Sequence, residues 1–267
     1  MPGLTSSKPP SGQWLVPISP SLEHGSLSGD TLLIPAVSIG SVPQLAFDLL
    51  VHDPELALQR IAHVGASRLC LPFVGPVDYL DAPSSSSSSK PRGLCTAIEL
   101  YRNASHKVTL LHQRSPVIKS QKSTFVQELL AWIEEQGFKE VLLVGSMDAG
   151  MRIDREMETP LVQWSADAEK APKDGTLAGV LKSLPRFTPA PLAGSAQQEE
   201  LKGSKVPALP GAGLVRRILS AHAQESSSIA LGALLMFCGE GDNRGDAHAL
   251  AGLISHLLGV QESKGTS

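Results

Sequence analysis

TLLIPAVSIGSVPQLAFDLLV, residues 31 to 51, changes its apolar period halfway along. Thr31 to Val37 is a continuous apolar run, SIGS supplies a tight turn at Gly40, and Val42, Leu45, Ala46, Leu49 and Leu50 then recur at helical spacing with Ser41 placed to cap. The stretch therefore predicts a strand, a turn and a helix that stops at Asp53-Pro54. A second unit repeats the order. HKVTLLHQRS (106–115) is strand-like, and Val126, Leu129, Leu130 and Ile133 form one helical face with Ser123 or Thr124 as cap and Gly137 as stop. KEVLLVGS (139–146) is then a buried strand. Strands without polar alternation, separated by helices, demand a parallel sheet covered on both faces. The expectation is a three-layer α/β/α sandwich with a mostly parallel central sheet.

Beyond Gly213 the spacing predicts helices throughout. The sets are Leu214, Val215, Ile218 and Leu219; Ile229, Ala230, Ala233, Leu234 and Phe237; and Ala247, Leu250, Ala251, Ile254, Leu257 and Leu258. MFCGEGDNRGDAHAL (236–250) lies between the last two and reads as a helix-helix joint. Gly239 and Gly241 can take positive φ, Asp242 or Asn243 can cap, and Asp246 lies near the positive helix end.

Outside these segments, 1–29 reads as a flexible arm with order beginning near Thr31, and 30–260 as one domain. Flexible insertions are expected near 82–92, around the run Ser84 to Ser89, and over 167–205; 261–267 is a short tail.

The chain has 267 residues, 42% of them hydrophobic, with 23 basic against 26 acidic side chains. That composition supports one substantial core. No basic cluster longer than Arg216-Arg217 occurs, which argues against nucleic acid. The apolar run Ile229 to Cys238 is about half of what a membrane span needs. Cys70, Cys95 and Cys238 are far apart and odd in number, so neither a disulfide framework nor a cysteine zinc site is indicated. A reducing compartment, cytoplasm or nucleus, is expected.

Motifs with chemical meaning fail one by one. Counted as a calcium loop from Glu240, position 5 is Arg244 and position 12 is Ala251, so oxygen ligands are missing. Arg244-Gly245-Asp246 and Asn103-Ala104-Ser105 would matter only outside the cell. SIGS at Gly40 and PGAGL with Gly211 and Gly213 are partial anion cradles, but neither completes a phosphate or dinucleotide fingerprint. GxSxG and HExxH are absent, and Glu134-Glu135 and Glu199-Glu200 read as solvated surface. No catalytic, metal or cofactor residue is assigned. The enzyme alternative is a small-molecule phosphorylase or hydrolase that uses the glycine turns as an anion site.

TLLIPAVSIGSVPQLAFDLLV, LPFVGPVDY (71–79), LLHQRSPVIKSQKSTFVQELLAWIEEQGFKEVLLVGSMDAGMR (110–152), LPGAGL (209–214) and LGALLMFCGEGDNRGDAHALAGLISHLL (231–258) together resemble the proteasome assembly chaperone 2 family. The resemblance runs in collinear blocks from about Thr31 to Leu258. It implies a fold related to nucleoside-phosphorylase-like and hydrolase-like enzymes without their activity. It also implies a heterodimer with proteasome assembly chaperone 1 that binds the α-subunit ring, promotes core-particle assembly and suppresses off-pathway α-subunit association. Relatives in this class can insert a hydrophobic-Tyr-X tail, whereas this sequence ends GVQESKGTS, so the expectation is a longer chain or a tail supplied by the partner. Partner contact is expected from the C-terminal segments, at Phe237, Leu250, Ile254 and Leu257.

Overall fold

The computed structural model describes residues 14–17, 27–76, 94–189, 205–225 and 227–260. Ten strands are β1 (Leu15–Pro17), β2 (Thr31–Pro35), β3 (Gln59–Val64), β4 (Val74–Pro76), β5 (Leu94–Thr96), β6 (Ile98–Asn103), β7 (Val108–Gln113), β8 (Glu140–Asp148), β9 (Leu161–Ser165) and β10 (Ala230–Cys238). The main helices are α1 (Val42–Val51), α2 (Lys122–Gln136), α3 (Thr176–Ser183), α4 (Gly213–His222) and α5 (Arg244–Leu257).

Eight strands form one sheet in the order β1-β3-β6-β7-β2-β8-β10-β9, and β4 and β5 form a separate ribbon. The four inner strands β7, β2, β8 and β10 are parallel; β3 and β6 extend one side antiparallel, and β9 closes the other. The three-layer sandwich is present, and its register explains the unbroken apolar runs. Val141 and Leu143 of β8 pack into one core with α2 and α4, while Leu142 and Val144 pack into the other with α1, α3 and α5. With both faces covered, every residue of β8 but the last is buried.

The sequence reading of Ile229 to Phe237 as a helix is overturned, because Ala230–Cys238 is the inner strand β10, buried along its whole length. A fully buried strand shows no alternation, so its Ala, Leu and Met residues satisfy a helical template as well as a strand. The 236–250 segment is therefore a strand-to-helix joint.

The expected caps are also corrected. Ser41 sits at φ 53 and makes no capping hydrogen bond, so α1 is started by Pro43 near its N-terminus. Ser123 and Thr124 lie inside the first turn of α2, behind Gln121. Gly137 does end α2, at φ 68.

Two segments read as loose carry structure. Within 1–29, Leu15–Pro17 pairs with β3, and Trp14 stacks on Trp132 with ring centroids 4.8 Å apart while its indole N–H donates to Glu128 at 3.3 Å. Order thus appears before Thr31, since one large aromatic in the core outweighs the polar composition around it. Within 167–205, α3 is nucleated by a tertiary contact. The buried Glu140 carboxylate accepts the Thr176 and Leu177 N–H groups at 2.7 and 3.1 Å and the Thr31 hydroxyl at 2.8 Å. A carboxylate at a helix N-terminus stabilises it, and no reading confined to 167–205 reveals a partner at position 140. Pro185 to Phe187 then hydrogen-bonds along the outer edge of β9. Residues 82–92 and 261–267 lie outside the described set.

Candidate functional site

In open α/β sheets the ligand crevice lies beyond the carboxyl ends of the parallel strands. Here β2, β8 and β10 end together, and three loops meet over them. Ser38, following β2, holds the Ser146 hydroxyl and accepts the Ser146 N–H, both at 2.8 Å. Ser146 also donates to the Ile39 carbonyl, which takes the Cys238 thiol at 3.3 Å. Asn243, almost fully buried, donates its amide to the carbonyls of Gly40 at 3.0 Å and Gly239 at 3.1 Å. Burial pushes the Cys238 thiol above its ordinary range, outweighing the hydrogen bond from Ser146, so this sulfur is a packing group and a weak donor. The strand ends and the loops over them are thus tied together by hydrogen bonds from Ser38, Ser146, Cys238 and Asn243.

Gly40 and Gly211, singled out in the sequence as anion turns, do come together here. Gly40 has φ +68, and a Cβ on it would stand 2.7 Å from the Asn243 amide. Gly211 has φ +85, and its Cβ would meet Ile39 at 2.8 Å. Both glycines bring loop against loop. Gly213 and Gly239 do not take positive φ and have open space around them; Gly241 does, at φ +139. Asp242 accepts the Arg244 N–H at 3.2 Å and its guanidinium at 2.6 Å on the surface. Asn243 occupies the cap position of α5, but its side chain serves the joint and makes no cap.

These positions give a paired expectation. Gly211→Ala loses about 1 kcal/mol or more, from the φ alone and more from the contact with Ile39. Gly213→Ala, in the open first turn of α4, is neutral or slightly stabilising because alanine is the better helix former. Urea midpoints of the two variants check this, and equal losses would refute it.

A second polar centre, absent from the sequence reading, joins α1 to β3, β6 and β7. His112, fully buried on β7, holds Asp48 of α1 at 2.8 Å, and Arg114 pairs with the same carboxylate. Arg114 reaches the Tyr101 hydroxyl at 3.4 Å, Tyr101 donates to Glu99 at 2.9 Å, and Arg60 donates to Glu99 at 2.9 Å. For Asp48, burial favours the neutral form, but His112 and Arg114 outweigh it and draw the pKa down from 3.8 to about 2. Burial also depresses His112, despite the hydrogen bond its ring donates to Asp48. With His112 and Arg114 both held on the Asp48 carboxylate, the arrangement ties α1 electrostatically to the sheet.

Its sign with pH follows. Both folded-state pKa values lie below the unfolded ones, so the stabilisation is present at higher pH and is lost as pH falls. His112 acts first, below about 6.5, and Asp48 between 3.8 and about 2. The wild-type urea midpoint should therefore drop from pH 7.5 to 5.5. His112→Gln should flatten that drop in part, the remainder coming from His222, whose pKa burial also lowers. A profile unchanged by the substitution would contradict the assignment.

The residues expected at a partner interface are placed differently. Phe237, Leu250 and Ile254 are buried inside the chain, which corrects that assignment: an inner strand and the inward face of a helix have no surface left to offer. Leu257 is partly buried, packed beside Gly179. The exposed large apolar side chains instead include Leu71, Phe73, Val74 and Leu94, on and beside the β4–β5 ribbon. LPFVG carried this in plain view, but apolar character alone does not separate interface from core. Among the described residues no group of three His, Cys, Asp or Glu is arranged to hold a metal, and no helix is long and apolar enough to cross a membrane.

Comparison with known proteins agrees with this architecture. The chain is 31% identical over 239 residues to Proteasome assembly chaperone 2 of Nematostella vectensis, covering 88% of this chain and 91% of that one. It is 28% identical over 244 residues to the human protein of that name, covering 88% and 83%. Among solved structures, Pyrococcus furiosus PbaA, an archaeal homologue of proteasome-assembly chaperone, superimposes with a TM-score of 0.54 at 13% identity, over 91% of this chain and 86% of that one. The PAC2 family model matches residues 32–245, from the first inner strand through the joint that carries Asn243, and the chain belongs to the PAC2 family.

Proposed function

We propose that this protein is a proteasome assembly chaperone. It heterodimerises with proteasome assembly chaperone 1, binds the α-subunit ring of the core particle, promotes its assembly and prevents off-pathway association of α subunits, in cytoplasm and nucleus. The observation that carries this reading is similarity over most of both chains to proteins named Proteasome assembly chaperone 2. Two structural features support it. Where an enzyme of this architecture would hold substrate, Ser38, Ser146 and Asn243 hydrogen-bond the loops and strand ends to one another. The β4–β5 ribbon carries exposed apolar side chains, and a two-stranded ribbon is marginal alone in water. That is the behaviour of a surface completed by a partner.

The test is co-expression with proteasome assembly chaperone 1, affinity capture and native mass spectrometry, with cell fractionation for location. A one-to-one complex that carries α-ring subunits is the expected result. A chain recovered alone, without either, would overturn the proposal and return attention to the small-molecule alternative at Gly40 and Gly211.

A further inference from the structure

On the face opposite α1, helices α2 and α4 lie side by side, and between them runs a groove of about 600 Å³. Its walls carry Lys122 and Gln127 from α2, and Arg216, Arg217 and Ser220 from α4, with Gln224 just beyond the end of α4. From Gly213 to Gln224 it extends about 16 Å at helical rise.

The charges in it are unbalanced. Among the described residues Lys122 and Arg217 make no ion pair or side-chain hydrogen bond, and Arg216 donates only to the Pro207 carbonyl, at 3.1 Å. Among the described residues no carboxylate lines the groove, on a chain whose formal charge is −3. The first turns of both helices also lack acidic residues and side-chain caps, so their N–H groups add positive potential at the same end. The Ser220 hydroxyl, on the wall, is buried without a hydrogen-bond partner.

We infer that this groove docks an acidic segment of a partner protein, its carboxylates set along Lys122, Arg216 and Arg217. The chemistry favours a peptide over other anions. The groove is open along its length, where a small anion calls for an enclosed site. Among the described residues no aromatic side chain lines it to stack a nucleobase. Three cations are also few beside the phosphate contacts that hold nucleic acid. The inference uses the chaperone reading only in taking the partner to be a protein.

The experiment titrates the full chain, in its heterodimer where it forms one, into fluorescein-labelled hexaglutamate and hexaglutamine and follows anisotropy. Lys122 and Arg217 are not buried, so the K122E/R217E variant keeps the fold, and K182E on the other face of the sheet is the control. Hexaglutamate should bind wild type and K182E alike, weaken by about tenfold or more in K122E/R217E, and weaken with added salt; hexaglutamine should not bind. Absence of hexaglutamate binding, equal binding of hexaglutamine, or indifference to K122E/R217E would overturn the inference. Full displacement by millimolar inorganic phosphate would do so too, by making the groove a small-anion site. Failure to capture α-ring subunits would strike the chaperone reading and leave this titration standing.

Discussion

Phe237→Ala should lower the unfolding free energy by about 3 to 5 kcal/mol, the range for removing a buried aromatic from a packed core. Phe237 is 4% exposed on an inner strand, edge-on to Phe187 at 6.3 Å between ring centroids, with the Arg152 guanidinium 5.5 Å above its ring. Truncation removes both contacts and leaves a cavity beneath the segment that guards the β9 edge. Leu257→Ala, at a partly exposed position, should cost clearly less. Denaturant titration of the two variants decides. A normal midpoint for Phe237→Ala with weakened heterodimer would restore Phe237 to the interface.

A loss of similar size is expected for Arg102→Met. Asp30 is 1% exposed, and Arg102 holds both of its oxygens, at 2.7 and 3.1 Å, while Thr109 donates a third bond at 2.8 Å. Removing the guanidinium leaves a buried charge with one neutral donor, and breaking such a pair from one side costs about 3 to 5 kcal/mol. The double variant Asp30→Asn/Arg102→Met should recover much of that, because it removes the stranded charge as well. If the double variant is no more stable than Arg102→Met, the loss comes from packing of the arginine stem.

The parts of the fold that were legible in the sequence are those whose signal is local. Thr31 to Val37 and Val141 to Val144 are apolar without interruption, and α1 and α2 follow with a clear change of period. What stayed hidden depends on residues distant in sequence. β10 was misread because a doubly buried strand has no period, yet it held a clue in Gly232. A Cβ there would meet Leu177 at 2.5 Å, and a glycine inside an apolar run marks such close approach. The Asp48, His112 and Glu99 centre joins a helix to three strands, each contributing residues that look like ordinary surface polars alone. Gly40 and Gly211 were found because their turns are local, but only the tertiary contact through Ile39 shows that they join loops.

The position of β10 between β8 and β9 has a consequence for how the chain is made. Synthesis delivers β8 and β9 well before Ala230–Cys238, so β8 waits with one long apolar edge unpaired, and β9 has no neighbour in the main sheet until β10 arrives. An open edge of that kind recruits other strands, and closing it over so many intervening residues is slow. On the ribosome, then, the sheet is completed between two waiting strands by the last of the described strands to emerge, and a chain stalled before Ala230 is the species most prone to aggregate.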